Sequence, residues 1–182
     1  MSYQSMIDPE PRTFAVGTVR PFRNVLVAVD DSLQSLWALE TAKRLAGDAP
    51  ARIALVHIIN SVPGLTPEFA YAAEDLRPTL EAEASQLLHD AKKRLPENVS
   101  CDEFVREGDP AYEIVSLATL WHADVIVIGT HGRGLLGRVF LGSVAASVVR
   151  HAPCPVMTVA NEPPTIDQAS AEGVEGHIAR NH

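Results

Sequence analysis

Apolar residues along the chain fall into two alternating kinds of run: short uninterrupted stretches, and longer ones in which they recur every three or four positions. The first uninterrupted run, Asn24 to Val29, predicts a strand buried on both faces. Asp31, Ser32 and Gln34 follow in a capping-type arrangement, with Asp30 or Asp31 expected to cap a helix whose face carries Leu36, Leu39, Ala42 and Leu45. Arg52 to Ile59 is a second strand. A long helical stretch from about Pro67 to Leu95 has Leu76, Leu80, Ala84, Leu88, Ala91 and Leu95 as its apolar stripe, and Pro78 marks a kink or a fresh start within it. Ser100 to Arg106 is a third, more polar strand, after which Gly108-Asp109-Pro110 opens a helix through Leu120. Asp124 to Ile128 and Pro155 to Ala160 complete five strands. Strands alternating with helices in this way predict a mostly parallel sheet covered on both faces. Pro153 and Pro155 set the last strand at an edge or mark its start.

Between the fourth strand and the helical segment SVAASVVRH lies GTHGRGLLGRVFLGS, Gly129 to Ser143. Glycines where a strand hands over to a helix leave backbone N–H groups exposed, and such a turn binds anions. Three glycine patterns overlap there. Gly132, Gly134 and Gly137 give GxGxxG, but the acidic residue a dinucleotide fold needs about twenty positions on is missing, since Ala152 to Met157 holds none. Gly132 and Gly137 also give the skeleton of a Walker A loop, yet Arg138 and Val139 stand where Lys and Ser or Thr are required. The third pattern is Gly129, two residues, Gly132, nine residues, then Gly142 and Ser143. Gly129 and Gly132 are expected to turn the backbone at positive φ, and Ser143 to cap the helix that follows. A polyphosphate would then be gripped between the glycine loop and the positive end of that helix.

In this third pattern the chain resembles the ATP-binding branch of the universal stress protein family, whose signature is GxxGx9G followed by Ser or Thr. The likeness runs from roughly Asn24 to Ala160 and includes NVLVAVDDS, VHII and HAPCPVMTV. It implies a single α/β, Rossmann-like domain over residues 23–160 with a five-stranded parallel sheet in the order 3-2-1-4-5. It also implies a homodimer joined through the last strand, Val156 to Val159. In that order the ends of strands one and four meet at the topological switch point, where open α/β sheets bind ligands. The resemblance assigns Asp30 to the nucleotide, with backbone contacts from Ala28, Val29 and Ile58. Gly129, Gly132, Arg133, Gly142, Ser143 and Val144 would stand toward the phosphates. Ala28 replaces a proline common in the ATP-binding members. The implied ligand is ATP or another adenine nucleotide, accompanied by Mg2+ or Mn2+ that Asp30 alone would help hold. His57 has the alternative of a hydrogen-bonded histidine at a strand end and stays outside the predicted site.

Composition narrows the rest. A chain of 182 residues, 46% hydrophobic, supports one core. A net charge of −8 argues against general nucleic-acid binding, which demands a basic face. The start MSYQSMIDPEPRTF is not a signal peptide, and no apolar run approaches the roughly eighteen residues of a membrane span, so a cytoplasmic protein without membrane insertion is expected. Cys101 and Cys154 show no metal spacing and read as buried, reduced thiols. Residues 1–22 and 161–182 lack a sustained apolar stripe and read as flexible extensions. The expected function is nucleotide-dependent regulation or stress tolerance, with an unidentified protein partner. The alternatives are slow ATP hydrolysis or phosphoryl transfer, and a purely interacting protein. His131 is the one candidate base near the loop, with shaping the loop as its other role.

Overall fold

The uninterrupted apolar runs become strands because both of their faces are covered, and the periodic runs become the helices that cover them. The computed structural model describes residues 22–47, 51–60, 67–130 and 141–160, the main chain alone over 67–74. In order these form β1 (Asn24–Ala28), α1 (Leu33–Ala46), β2 (Arg52–Asn60), α2 (Pro67–Lys92), β3 (Ser100–Gly108), α3 (Pro110–Leu120), β4 (Val125–Gly129), α4 (Ser143–His151) and β5 (Val156–Val159). The sheet is parallel throughout, in the order β3-β2-β1-β4-β5. This is the expected Rossmann-like arrangement. Odd-numbered apolar residues of β1, Val25 and Val27, pack with α1 and α2 on one face, while Leu26 packs with α3 and α4 on the other. The central strands are accordingly the most buried, with Val25, Leu26, Val27, Ile126 and Val127 wholly inaccessible.

Two helices differ from the expected pattern. In α1 the buried face is Ser35, Ala38, Leu39, Ala42 and Ala46, with Leu45 only packed at its margin. In α2 the stripe is buried from Ala84 through Leu88 and Ala91, whereas Leu76 and Leu80 are exposed. Length explains this. A helix of 26 residues runs ~39 Å, and the nine-residue strands beneath it ~30 Å, so one end has no sheet to cover. Pro78 lies inside α2 rather than starting a new helix.

The polar character of β3 follows from its edge position. Arg52 pairs with Asp102 at 2.7 Å, Lys92 with Glu103 at 2.8 Å, and Arg77 with Glu107, so charged side chains guard the open edge. At the opposite end of the sheet from the strand C-termini, Asp124 Oδ2 accepts the N–H groups of Arg23 and Asn24, each at 2.9 Å. That carboxylate fixes where β1 enters beside β4. Replacing it, Asp124→Ala, should lower stability by about 1 kcal/mol in urea unfolding without altering ligand affinity, because these bonds are exposed and remote from the cleft.

Candidate functional site

Neighbouring β1 and β4 send the chain to opposite faces of the sheet, β1 into α1 and β4 toward α4, and a cleft opens where they part. The cavity there measures about 350 Å3. Its apolar floor is Ala28, Val56, Ile58 and Ile128, with Ile114 of α3 and Val144 and Ala145 of α4 as walls. Polar groups stand at two sides: Asp30, Ser32 and Ser35 on one, Thr130, Gly142 and Ser143 on the other. Eight of the ten predicted site residues therefore lie in the described part of the chain and line this one cavity. Gly132 and Arg133, like His131, lie outside the described residues.

Asp30 is built into a closed ring of hydrogen bonds. Its N–H donates to Ser35 Oγ at 2.9 Å, the Ser35 N–H donates to Ser32 Oγ at 3.2 Å, and the Ser32 hydroxyl donates to Asp30 Oδ1. The Ser32 N–H also donates to Oδ1, at 3.0 Å. The cap of α1 is thus Ser32, with backbone in the extended region, and neither Asp30 nor Asp31 as expected from sequence. Helix α1 starts one residue later than an aspartate cap requires, which frees Asp30 to brace the cap rather than be it.

On the other wall β1 and β2 separate. Their pairing ends at Ala28 with Val56, followed by a last bond from the Val29 N–H to the Val56 carbonyl at 2.8 Å. Residues two apart in a strand direct their backbone groups the same way, so Ile58 directs its N–H and C=O toward the side that β1 has left, which is the cavity. The Val29 carbonyl, next acceptor along β1, is bonded by His57 Nδ1 at 2.8 Å. A carbonyl oxygen only accepts, so Nδ1 is the donor in this bond. His57, left outside the predicted site, forms part of the cavity wall while also filling the structural role foreseen for it. Only the side a neighbouring strand leaves open identifies it, and periodicity does not report that.

Two expectations about the glycine signature change. Gly129 does not have a positive φ; the described glycines that do are Gly47 and Gly108. It is required by packing: a Cβ there would lie 2.8 Å from Gln34 Cβ and 3.0 Å from the Gln34 carbonyl carbon, in the first turn of α1. The cap of α4 is Gly142, not Ser143, which is the first helical residue and exposed. Gly142 is held by its N–H to the Thr130 carbonyl at 2.7 Å and accepts from Ala146 N–H at 2.8 Å. Having no side chain, it leaves the first-turn N–H groups of α4 without a local cap, at the positive end of the helix and beside the cavity.

No group of three or more His, Cys, Asp or Glu that could hold a metal occurs among the described residues. Among the described residues Asp30 is the one carboxylate in the cavity wall, and its Oδ1 is engaged by Ser32, so the wall fits a cation that arrives already attached to phosphates better than one caged by protein. Cys101 and Cys154 are free and partly buried rather than fully so. Burial pushes the Cys101 thiol up to about 11 and raises that of Cys154, which keeps both protonated at neutral pH. Among the described residues no helix is long and apolar enough to cross a membrane.

Residues 21–160 match the sequence profile of the universal stress protein family. A universal stress protein of Thermus aquaticus is 37% identical over 139 residues, covering 76% of this chain and 98% of the relative. Universal stress protein MJ0531 of Methanocaldococcus jannaschii is 34% identical over 141 residues, 76% of this chain and 82% of its own length. Among solved structures, hypothetical protein MJ0577 superposes with a TM-score of 0.69 at 26% identity, over 80% of this chain and all of that one (100%). A universal stress protein family protein from Arabidopsis thaliana with AMP bound superposes at 0.55 and 27% identity, over 79% of this chain and 97% of that chain. The matched span contains every strand of the sheet and both helical layers, and by that extent the chain belongs to the universal stress protein family.

Proposed function

We propose that this chain binds an adenine nucleotide, ATP included, in the cleft between β1 and β4, and acts as a nucleotide-dependent regulator or stress-tolerance factor. The observation that carries this is the order of chemistries across one cavity. An apolar floor beside the free backbone edge of Ile58 suits a purine, which offers flat faces and an edge with both donor and acceptor. Asp30 then suits sugar hydroxyls, because a carboxylate accepts and does not donate. Gly142, Ser143 and the opening turn of α4 suit phosphate. Base, ribose and phosphate occur in that sequence in a nucleotide. The AMP carried by the Arabidopsis relative supports the same reading.

In this proposal Gly132 and Arg133 join the phosphate side, as the resemblance implies, and Mg2+ or Mn2+ enters with the nucleotide. Ala28 and Val29 contribute mainly apolar surface, since the Val29 N–H is bonded to Val56 and its carbonyl to His57. The binding unit is residues 23–160, with 1–22 and 161–182 as extensions. β5 is an edge strand with an apolar run, Val156 to Val159, and we assign it to pairing with a second copy.

Small molecules released by denaturing freshly purified native protein, identified by mass spectrometry, test the reading. An adenine nucleotide is expected at close to one per chain, with equilibrium binding of added Mg-ATP after its removal. Absence of both a released nucleotide and measurable affinity for ATP, ADP or AMP would sink the proposal.

A further inference from the structure

Ser35 is the one polar residue that is buried among the described residues, 3% exposed, and it lies in the wall of the cleft. A buried hydroxyl on an otherwise apolar helix face costs stability unless its bonds are made, and the bond it makes is to the backbone of Asp30. Together Asp30 N–H to Ser35, Ser35 N–H to Ser32 and Ser32 hydroxyl to Asp30 Oδ1 form a loop that ends where it begins. Only the Ser32 hydroxyl both accepts and donates within the loop, and the three bonds together tie Asp30, Ser32 and Ser35 to one arrangement. Two donors from Ser32 occupy Oδ1, and Oδ2 is the carboxylate oxygen that no member of the ring uses.

We infer that Ser35 is a positioning residue which, through Asp30, makes the site select ligands carrying ribose hydroxyls. This rests on the nucleotide reading and deepens it. Ser35 acts only by holding the strand end, while Ser32 takes up Oδ1 of a carboxylate in the cavity wall and leaves Oδ2 for the ligand. A carboxylate held this way accepts from a vicinal diol and repels a phosphate, which fixes the direction in which a nucleotide enters. With the ring opened, Asp30 gains rotational freedom and must be ordered by each ligand, and the hydroxyl preference fades.

Isothermal titration of the full chain with AMP and with 2′,3′-dideoxy-AMP tests this. Wild type should bind AMP at least about 10-fold more tightly, the worth of a hydrogen bond to a charged acceptor. Ser35→Ala should weaken AMP about 10-fold and leave the dideoxy compound within a factor of about two, and in an Asp30→Asn background it should cost nothing further. Ser32→Gly keeps a tolerated cap residue while removing the same ring, and should reproduce the pattern if Ser35→Ala proves unstable. Equal weakening of both ligands would mark Ser35 as merely structural and overturn the inference. So would unchanged AMP affinity in both variants, or a wild type that binds both compounds equally. A wild type that binds no adenine nucleotide at all would instead overturn the functional reading on which it stands.

Discussion

Gly129→Val should unfold or severely destabilise the domain, by about 3 kcal/mol or more, and should lose ligand binding as a consequence rather than as a primary effect. The new Cβ alone would sit 2.8 Å from Gln34 Cβ, 3.0 Å from its carbonyl carbon and 3.3 Å from its oxygen, and two of those three atoms are backbone. Neither partner can retreat. Gly129 is paired to Val159 in the sheet, and the first turn of α1 is fastened to the end of β1 by the Asp30, Ser32 and Ser35 ring. Separating the two elements would open the core beneath them, where Val127 and Leu39 are buried against the same cluster. Gly129→Ala tests the argument at lower cost, with about 1–3 kcal/mol expected for overpacking. For a domain of this size each 1 kcal/mol corresponds to roughly 3 °C in Tm. Urea and thermal unfolding of both variants measure it, and a Gly129→Val protein as stable as wild type would show that α1 can shift freely.

The fold was legible in the sequence because its signals are redundant. An uninterrupted run such as Asn24 to Val29 and a periodic one such as Ser143 to His151 each state their own period, and the order of periods states the α/β class. The extent of burial along a helix was not legible in the same way. Leu76 and Leu80 obey the same spacing as Ala84 and Leu88, and only the length of the strands beneath α2 decides which pair is covered. At the site, residue identity was more legible than residue role. Asp30, Ile58, Gly129 and Gly142 were all expected in the cleft and all line it. What Gly129 does there depends on Gln34, nearly a hundred positions earlier, and what Ser143 does depends on a helix start that a one-residue shift reassigns to Gly142. His57 and Ser35 were missed as wall residues because each looks like ordinary strand or helix sequence until the parting of β1 and β2 gives it a cavity to face.

Gly142→Phe should do the reverse of Gly129→Val, leaving the fold in place and weakening nucleotide binding at least ~100-fold, equivalent to about 2.7 kcal/mol. The backbone at Gly142 has φ −58° and ψ 157°, a region open to any L-residue, so a side chain meets no dihedral strain. Its two backbone bonds, to the Thr130 carbonyl and from the Ala146 N–H, do not depend on the side chain. Replacing a glycine cap with an apolar residue costs α4 about 1 kcal/mol, a small fraction of the roughly 5–15 kcal/mol of a typical domain. The ring, however, enters a cavity of about 350 Å3 at the wall where the first turn of α4 faces the proposed phosphate. It would take up space the ligand needs and screen the N–H groups that recommend the helix as an anion site. Circular dichroism and thermal unfolding should therefore stay close to wild type, within about 3 °C, while titration with Mg-ATP loses its signal. The two glycines share one sequence signature, but one packs against a neighbouring helix and the other lines the cleft, and the pair of variants separates these roles. If Gly142→Phe bound nucleotide as tightly as wild type, the phosphate could not lie at α4, and the switch-point cleft would lose its claim to be the binding site.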